Sequence, residues 1–191
     1  MGQPQLLMKR RHLKGIGKLS IPRGYSLRTY RQGDETHWAR IISNAQPAFS
    51  ALGAQCPPSV FWREMVEQEC FRPERVLFLT YKGQPVGTAT AWTKAELGPT
   101  SGYVHMVALV PEHTKKGLGR VLTAAVLDYF RDQGLRSAFL HTDDHRLAAI
   151  KTYLELGFEP MIADEDIRRR WVEVFRALRR PDLAHRYCGQ E

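Results

Sequence analysis

Residues 102–120 run "GYVHMVALVPEHTKKGLGR", and they constrain the fold more than any other stretch. A mostly apolar run, the mark of a strand buried on both faces, stops at Pro111. Two lysines and a Gly-Leu-Gly follow. Then Leu118, Val121, Leu122, Ala125, Tyr129 and Phe130 recur at helical spacing up to Gly134, placed as a C-terminal helix glycine. Glycine in or beside a helix costs about 1 kcal/mol relative to alanine. Gly117 and Gly119 therefore call for glycine turn geometry or for something that approaches the backbone closely. The first N–H groups of a helix are unpaired and partly positive. Glycines let a phosphate reach them, and Lys115, Lys116 and Arg120 add charge at the same spot.

The flanking sequence supplies the rest of a mixed fold. Alternating or apolar runs predict strands over 25–30, 75–81, 86–93, 102–110 and 137–142, with a short one at 158–162. "KGQP" (82–85) reads as a hairpin turn. Helices are expected over 33–45 with Asp34 as N-cap, over 59–69 from Ser59, and over 117–133. Another is expected from a cap at Asp143 or Asp144 through Leu156, closed by Gly157. Residues 164–180 form an amphipathic helix with Ile167, Trp171, Val174, Phe175 and Leu178 inward, stopped by Pro181. Hairpins require antiparallel pairing and the later strand–helix–strand crossover favours a parallel pair. The fold class is therefore α/β (α+β), with a mostly antiparallel central sheet of six to seven strands, flanking helices and a C-terminal amphipathic helix. Three regions are expected: a basic N-terminal extension (1–23), a folded domain (24–162), and a C-terminal helix and tail packed on it (163–191).

Charge and cysteine usage narrow the partners. The net charge of +8 resides in residues 1–31, which hold eight Lys or Arg and no acid; the remainder balances. A basic arm can contact nucleic acid or membrane, serve as a solubilising tail, or pack on the domain's own acidic surface. Without interleaved aromatics, nucleic acid is disfavoured. No apolar run approaches the roughly 20 residues of a membrane span. Cys56, Cys70 and Cys188 are far apart and form no C-x-x-C pair, so zinc and redox motifs are absent. Reduced thiols in a cytoplasmic protein are the expectation.

Two motifs give the phosphate ligand a class. The chain lacks a Walker A loop and the third glycine of a dinucleotide fingerprint. V-P-x-x-x-x-x-G-x-G on a strand–helix junction, followed by "DDHRLAAIKTYLELGF" with its A-I-x-x-Y running into L-G-F, resembles the paired signatures of the GNAT superfamily of N-acetyltransferases over residues 24–162. The resemblance implies acetyl-CoA as co-substrate, its pyrophosphate held by Thr114, Lys115, Lys116, Gly117, Leu118, Gly119 and Arg120. It implies that the strand at 102–110 splays from the one at 137–142 and that pantetheine pairs with its backbone at Val107, Leu109 and Val110. It also implies that Tyr153 protonates the departing thiolate. Three departures stand out: Thr114 where Arg or Gln is common, Arg146 where Asn is common, and an arginine-rich helix in place of a seventh strand.

The residues themselves offer a base. His105 shares a strand face with Tyr103 and Val107 by period-two alternation, and an ordinary histidine pKa near 6.5 suits proton removal from an ammonium. Glu112, His141 and Asp143 are weaker candidates. The segment 45–62, with Phe49, Phe61 and Trp62, is expected to build the acceptor pocket. The expected activity is acetyl transfer from acetyl-CoA to a primary amine by direct attack in a ternary complex. The acceptor would be a small-molecule amine or a peptide, with no membrane partner, and the enzyme a monomer or homodimer. The alternatives are a non-catalytic acyl-CoA-binding or regulatory domain on the same fold and a nucleic-acid module using the basic arm.

Overall fold

The structure is a computed structural model that describes residues 3–17, 20–45, 49, 52 and 55–189. Its strands are β1 (Leu6–Arg10), β2 (Tyr25–Thr29), β3 (Val76–Tyr81), β4 (Gln84–Trp92), β5 (Ser101–Leu109), β6 (Ser137–Thr142) and β7 (Glu159–Pro160). Its helices are α1 (Asp34–Asn44), α2 (Pro58–Phe61, continued by a π-helical turn Trp62–Val66), α3 (Leu118–Asp132), α4 (Leu147–Glu155), α5 (Glu165–Ala177) and α6 (Pro181–Cys188). The seven strands form one sheet in the order β2-β3-β4-β5-β6-β1-β7. Every neighbouring pair is antiparallel except β5–β6, the pair joined by the α3 crossover. Lys82 (φ 47) and Gly83 (φ 82) both turn left-handed between β3 and β4, as a two-residue hairpin requires.

Residues 6–10, expected within an extension, form an interior strand of the sheet. β1 lies between β6 and β7, and β7 is followed by α5 rather than by a further strand. Its burial alternates: Leu6, Met8 and Arg10 are buried, while Leu7 and Lys9 are only partly so. Part of the arm's charge is used within the domain. Arg11 pairs with Glu159 at 2.7 Å, Lys9 sits 4.9 Å over the Phe139 ring, and Arg10 donates to three backbone carbonyls.

A β-bulge overturns the expected alternation along β5. Thr90 pairs with His105 and Thr88 with Ala108, so Met106 and Val107 together oppose Ala89. Met106 takes φ 53 to accommodate this. A bulge shifts the side-chain phase. Tyr103 and His105 therefore share a face with Trp92 and Thr90, whereas Leu109, and Val107 two residues before it, lie on the other face with Gly87. That second face carries α3: a Cβ on Gly87 would strike Leu109 at 2.5 Å and Leu122 at 3.1 Å, and one on Gly102 would strike Phe130 at 2.5 Å.

Helix ends differ from expectation in four places, the first being α2, which starts on Pro58 rather than Ser59 and ends with its π-helical turn at Val66 rather than at 69. Asp34 is the first residue of α1, after Gly33 (φ 96), and its carboxylate accepts from the Arg31 N–H and the Arg28 guanidinium. Neither Asp143 nor Asp144 caps α4; Asp144 forms a bidentate pair with buried Arg170 on α5, and Asp143 accepts from Gln5. Pro181 ends nothing by itself; it occupies the first position of α6, where its fixed φ is already helical. Asp164 caps α5 by accepting from the Ile167 N–H at 2.8 Å, and Trp171, Val174 and Phe175 are buried.

Candidate active site

β5 and β6 pair only from Ser101–Ser137 to Tyr103–Phe139, and among the described residues no pairing on that side continues past Tyr103. A cavity of about 530 Å³ is lined by β5 at Val107, Ala108 and Leu109, by the start of α3, by the α4 face carrying Ala149, Thr152 and Tyr153, and by Asn44, Ala45 and Phe49. Among the described residues three basic side chains, Lys115, Arg120 and Arg146, line it, and no acidic one does.

The α3 entrance is open backbone. Gly117 takes φ 72 before the first helical residue, and no side chain caps this end. The first intrahelical bond runs from the Val121 N–H to the Gly117 carbonyl at 3.2 Å, so the N–H groups before it lack helical acceptors. A Cβ on Gly117 or Gly119 would meet nothing within 4 Å. Gly117 needs glycine for its φ; Gly119, inside the helix and without a positive φ, needs it neither for conformation nor for packing. Thr114 turns its hydroxyl onto the Pro111 carbonyl at 2.8 Å but still lines the cavity. Lys116 donates to the Glu112 carbonyl at 2.7 Å and stands off the wall, as does Val110, whose N–H bonds the Val86 carbonyl at 2.9 Å.

Tyr153 reaches the same cavity from α4, only 4% exposed. Its hydroxyl has no hydrogen-bond partner among the described residues. Burial pushes the phenol pKa up, against a smaller downward pull from Arg146. The "LGF" run fixes the end of this helix. Gly157 (φ 76) permits the Gly157 N–H to bond the Leu154 carbonyl and the Phe158 N–H to bond the Tyr153 carbonyl, both at 2.9 Å. Phe158 also packs edge-on against Tyr153, ring centroids 6.0 Å apart. Arg146 holds its guanidinium 5.5 Å over the Phe49 ring.

His105 is not on the cavity wall. Half-buried, it lies between Trp92 and Tyr103, with ring centroids 5.5 and 5.7 Å away. Burial, then Lys94, lowers its pKa to about 4. Tyr103, pushed up to about 12 by burial, lies 2.9 Å from His141 Nδ1. Of the expected acceptor aromatics, Phe49 lines the cavity, Phe61 is core stacked 5.2 Å from Tyr30, and Trp62 is 48% exposed. Residues 46–48, 50–51 and 53–54 of that segment lie outside the described residues. Sequence reasoning missed Ala148, Ala149, Thr152 and Thr123 as lining residues. Ala148 and Ala149 lie about one turn before Tyr153, Thr152 is next to it, and Thr123 lies one turn after Gly119.

A splayed sheet, a helix end with unpaired N–H groups and a buried phenol meet in one cavity. A model of the Acetyltransferase (GNAT) family matches residues 38–158, and the chain belongs to that family. Among curated relatives, mycothiol acetyltransferase of Thermomonospora curvata is 32% identical over 162 residues, spanning 83% of this chain and 53% of the relative. That of Rhodococcus opacus is 34% identical over 175 residues, 85% of this chain and 55% of the relative. The chain thus spans about half the length of these curated relatives. Among solved structures, a GCN5-related N-acetyltransferase of Sphaerobacter thermophilus aligns with TM-score 0.64 at 19% identity, covering 83% of this chain and 50% of that one. The structure of yncA from Salmonella typhimurium with its cofactor acetyl-CoA aligns with TM-score 0.55 at 21% identity, covering 70% and 78%. At these identities the likeness speaks for the fold. Among the described residues no helix is long and apolar enough to cross a membrane.

Proposed function

We propose that the chain transfers an acetyl group from acetyl-CoA to a primary amine of a small-molecule acceptor, by direct attack within a ternary complex. The observation that carries this reading is the shared cavity: Gly119 exposes helix backbone at one side without any need of the fold for glycine, and Tyr153, a largely buried phenol that bonds no described residue, lines another. Family membership supports acyl transfer, and the name of the mycothiol acetyltransferase relatives supports a small acceptor.

Acetyl-CoA would supply an activated thioester. The α3 N-terminus with Thr114, Lys115, Gly117, Leu118, Gly119 and Arg120 suits its pyrophosphate, with N–H dipoles and cations aimed at one place. β5 beyond Tyr103, free of a β6 partner, offers backbone N–H groups near Val107–Leu109 to polarise the carbonyl oxygen. Tyr153, held above the usual phenol value near 10 by burial, keeps its proton at pH 7 and donates it to the leaving sulfur. His105 is neutral at pH 7 and stands off the cavity wall, so the amine's proton goes to water rather than to this side chain.

The test is thiol release from acetyl-CoA across a panel of amino sugars, amino acids and dipeptides, alongside calorimetry with acetyl-CoA alone. Binding with amine-dependent release is expected. Binding without release from any amine would leave a non-catalytic acyl-CoA-binding domain. Absence of binding at millimolar acetyl-CoA would reject the reading altogether.

A further inference from the structure

We propose that Arg10, on the N-terminal strand, is a positioning residue for Tyr153. The inference rests on reading Tyr153 as the acid. Arg10 is 6% exposed, and its guanidinium is divided among three carbonyls: His12 at 2.9 Å, Lys14 at 2.7 Å, and Leu156, the residue that ends α4. A Cβ on Gly157 would come within 2.6 Å of Arg10 Nη1, so the glycine that lets α4 end also makes room for the guanidinium. The next residue, Phe158, is bonded through its N–H to the Tyr153 carbonyl and packed against the Tyr153 ring.

A short path of contacts therefore runs from Arg10 through Leu156 and Gly157 to Phe158 and Tyr153. β1 holds the same turn from its far side as well. Met8 and Lys9 pair with Pro160 and Glu159, and the Met161 N–H bonds the Leu7 carbonyl at 2.9 Å. A cation at the carbonyl end of a helix meets both its unpaired acceptors and its dipole. Tyr153 lies one turn before that end. No charge coupling joins Arg10 to the phenol; Arg146 is the cation felt there. Arg10 thus acts on where the hydroxyl sits, leaving its acidity to burial.

The test combines amide hydrogen exchange with kinetics on the full chain, using acetyl-CoA and the amine with the highest turnover in the panel above. In Arg10→Met, exchange at the Phe158 amide should speed by about tenfold while amides within α3 hold their protection. Turnover should fall by about tenfold with KM for acetyl-CoA within about twofold, a misplacement effect. Arg10→Lys, able to keep one carbonyl contact, should recover part of both, and it replaces Arg10→Met if that variant fails to fold. Adding Tyr153→Phe to either variant should slow it no further than Tyr153→Phe alone. Additive losses, or an unchanged Phe158 amide, would overturn the positioning role. Tyr153→Phe turning over like the parent would instead remove the acid itself, a separate failure visible in the single variant. Arg11→Gln, which breaks only the outer pair with Glu159, should match the parent in every measurement.

Discussion

Replacing Gly119 by alanine separates what the fold needs from what a ligand needs. Gly119 is the second residue of α3, has no positive φ, and a Cβ there would meet no described atom within 4 Å beyond its chain neighbours and the helix's own backbone. Alanine should therefore bring its helix preference without a steric penalty, a gain of about 0.5–1 kcal/mol. In a domain of this size that raises the melting temperature by about 1–4 °C. Gly117→Ala is the control with opposite sign: at φ 72 a Cβ should cost about 1–2 kcal/mol and lower the melting temperature by a few degrees. The ligand reverses the ranking. A methyl at Gly119 stands where a phosphate would meet the helix N–H groups, so acetyl-CoA affinity should fall about tenfold, or about 1.4 kcal/mol. Acetyl-CoA a hundredfold above the parent Kd should stabilise the parent by about 2.7 kcal/mol and Gly119→Ala by only about 1.4 kcal/mol. Differential scanning fluorimetry with and without acetyl-CoA reads both effects, and calorimetry gives Kd directly. If Gly119→Ala lowers the apo melting temperature, the glycine serves the fold. If it raises that temperature but leaves Kd unchanged, no ligand approaches this backbone.

Other perturbations follow from the same geometry. Tyr153→Phe should reduce turnover by about a hundredfold with little change in acetyl-CoA Kd, the usual scale for a lost general acid, checked by steady-state kinetics beside calorimetry. His105 titrates at about 4 when folded against 6.5 when unfolded, so the unfolded chain binds its proton first as pH falls. The stability it confers is full above pH 6.5 and lost towards pH 4, up to about 3 kcal/mol; His105→Asn should flatten that part of a urea-denaturation pH series. Asp144 is held below the usual carboxylate range by its hydrogen bonds to Arg170. Asp144→Asn should destabilise by about 2 kcal/mol at pH 7, and the difference from the parent should shrink as pH falls from about 4, where Asp144 of the unfolded parent takes up its proton, through the lower folded value.

Local chemistry was legible in the sequence wherever one residue type had one purpose. The β5–α3 junction, the Lys82–Gly83 turn, and the glycines that end α3 and α4 were readable because glycine and turn residues report φ directly. β1 was not, because its inward row is Leu6, Met8 and Arg10, and a buried arginine reads as surface. The bulge in β5 left no trace either: Met106 carries a positive φ without being glycine, and that one residue moves His105 away from the Val107 face. Asp143 and Asp144 looked like caps because acids before a helix usually are; the partner that claims Asp144, Arg170, lies 26 residues further on. The cavity was half legible. Its α3 side announced itself in glycines and lysines, whereas its α4 side is made of alanines and a threonine that say nothing until Tyr153 is seen beside them.

The position of β1 also sets a schedule for synthesis. Its partners are residues 138–142 and 159–160, roughly 130 to 150 positions downstream. At about 5–20 residues per second, residues 6–10 leave the ribosome roughly 7 to 30 seconds before the strands that flank them. During that interval β2 to β5 can pair among themselves, while an unsatisfied Leu-Leu-Met segment waits in the open. Non-local closure of this kind is slow, and the last event of folding would be a strand sliding into a gap between β6 and β7. The α4 end, with Arg10 on Leu156, would therefore be completed only when residues 6–10 meet segments made roughly 130 to 150 positions later.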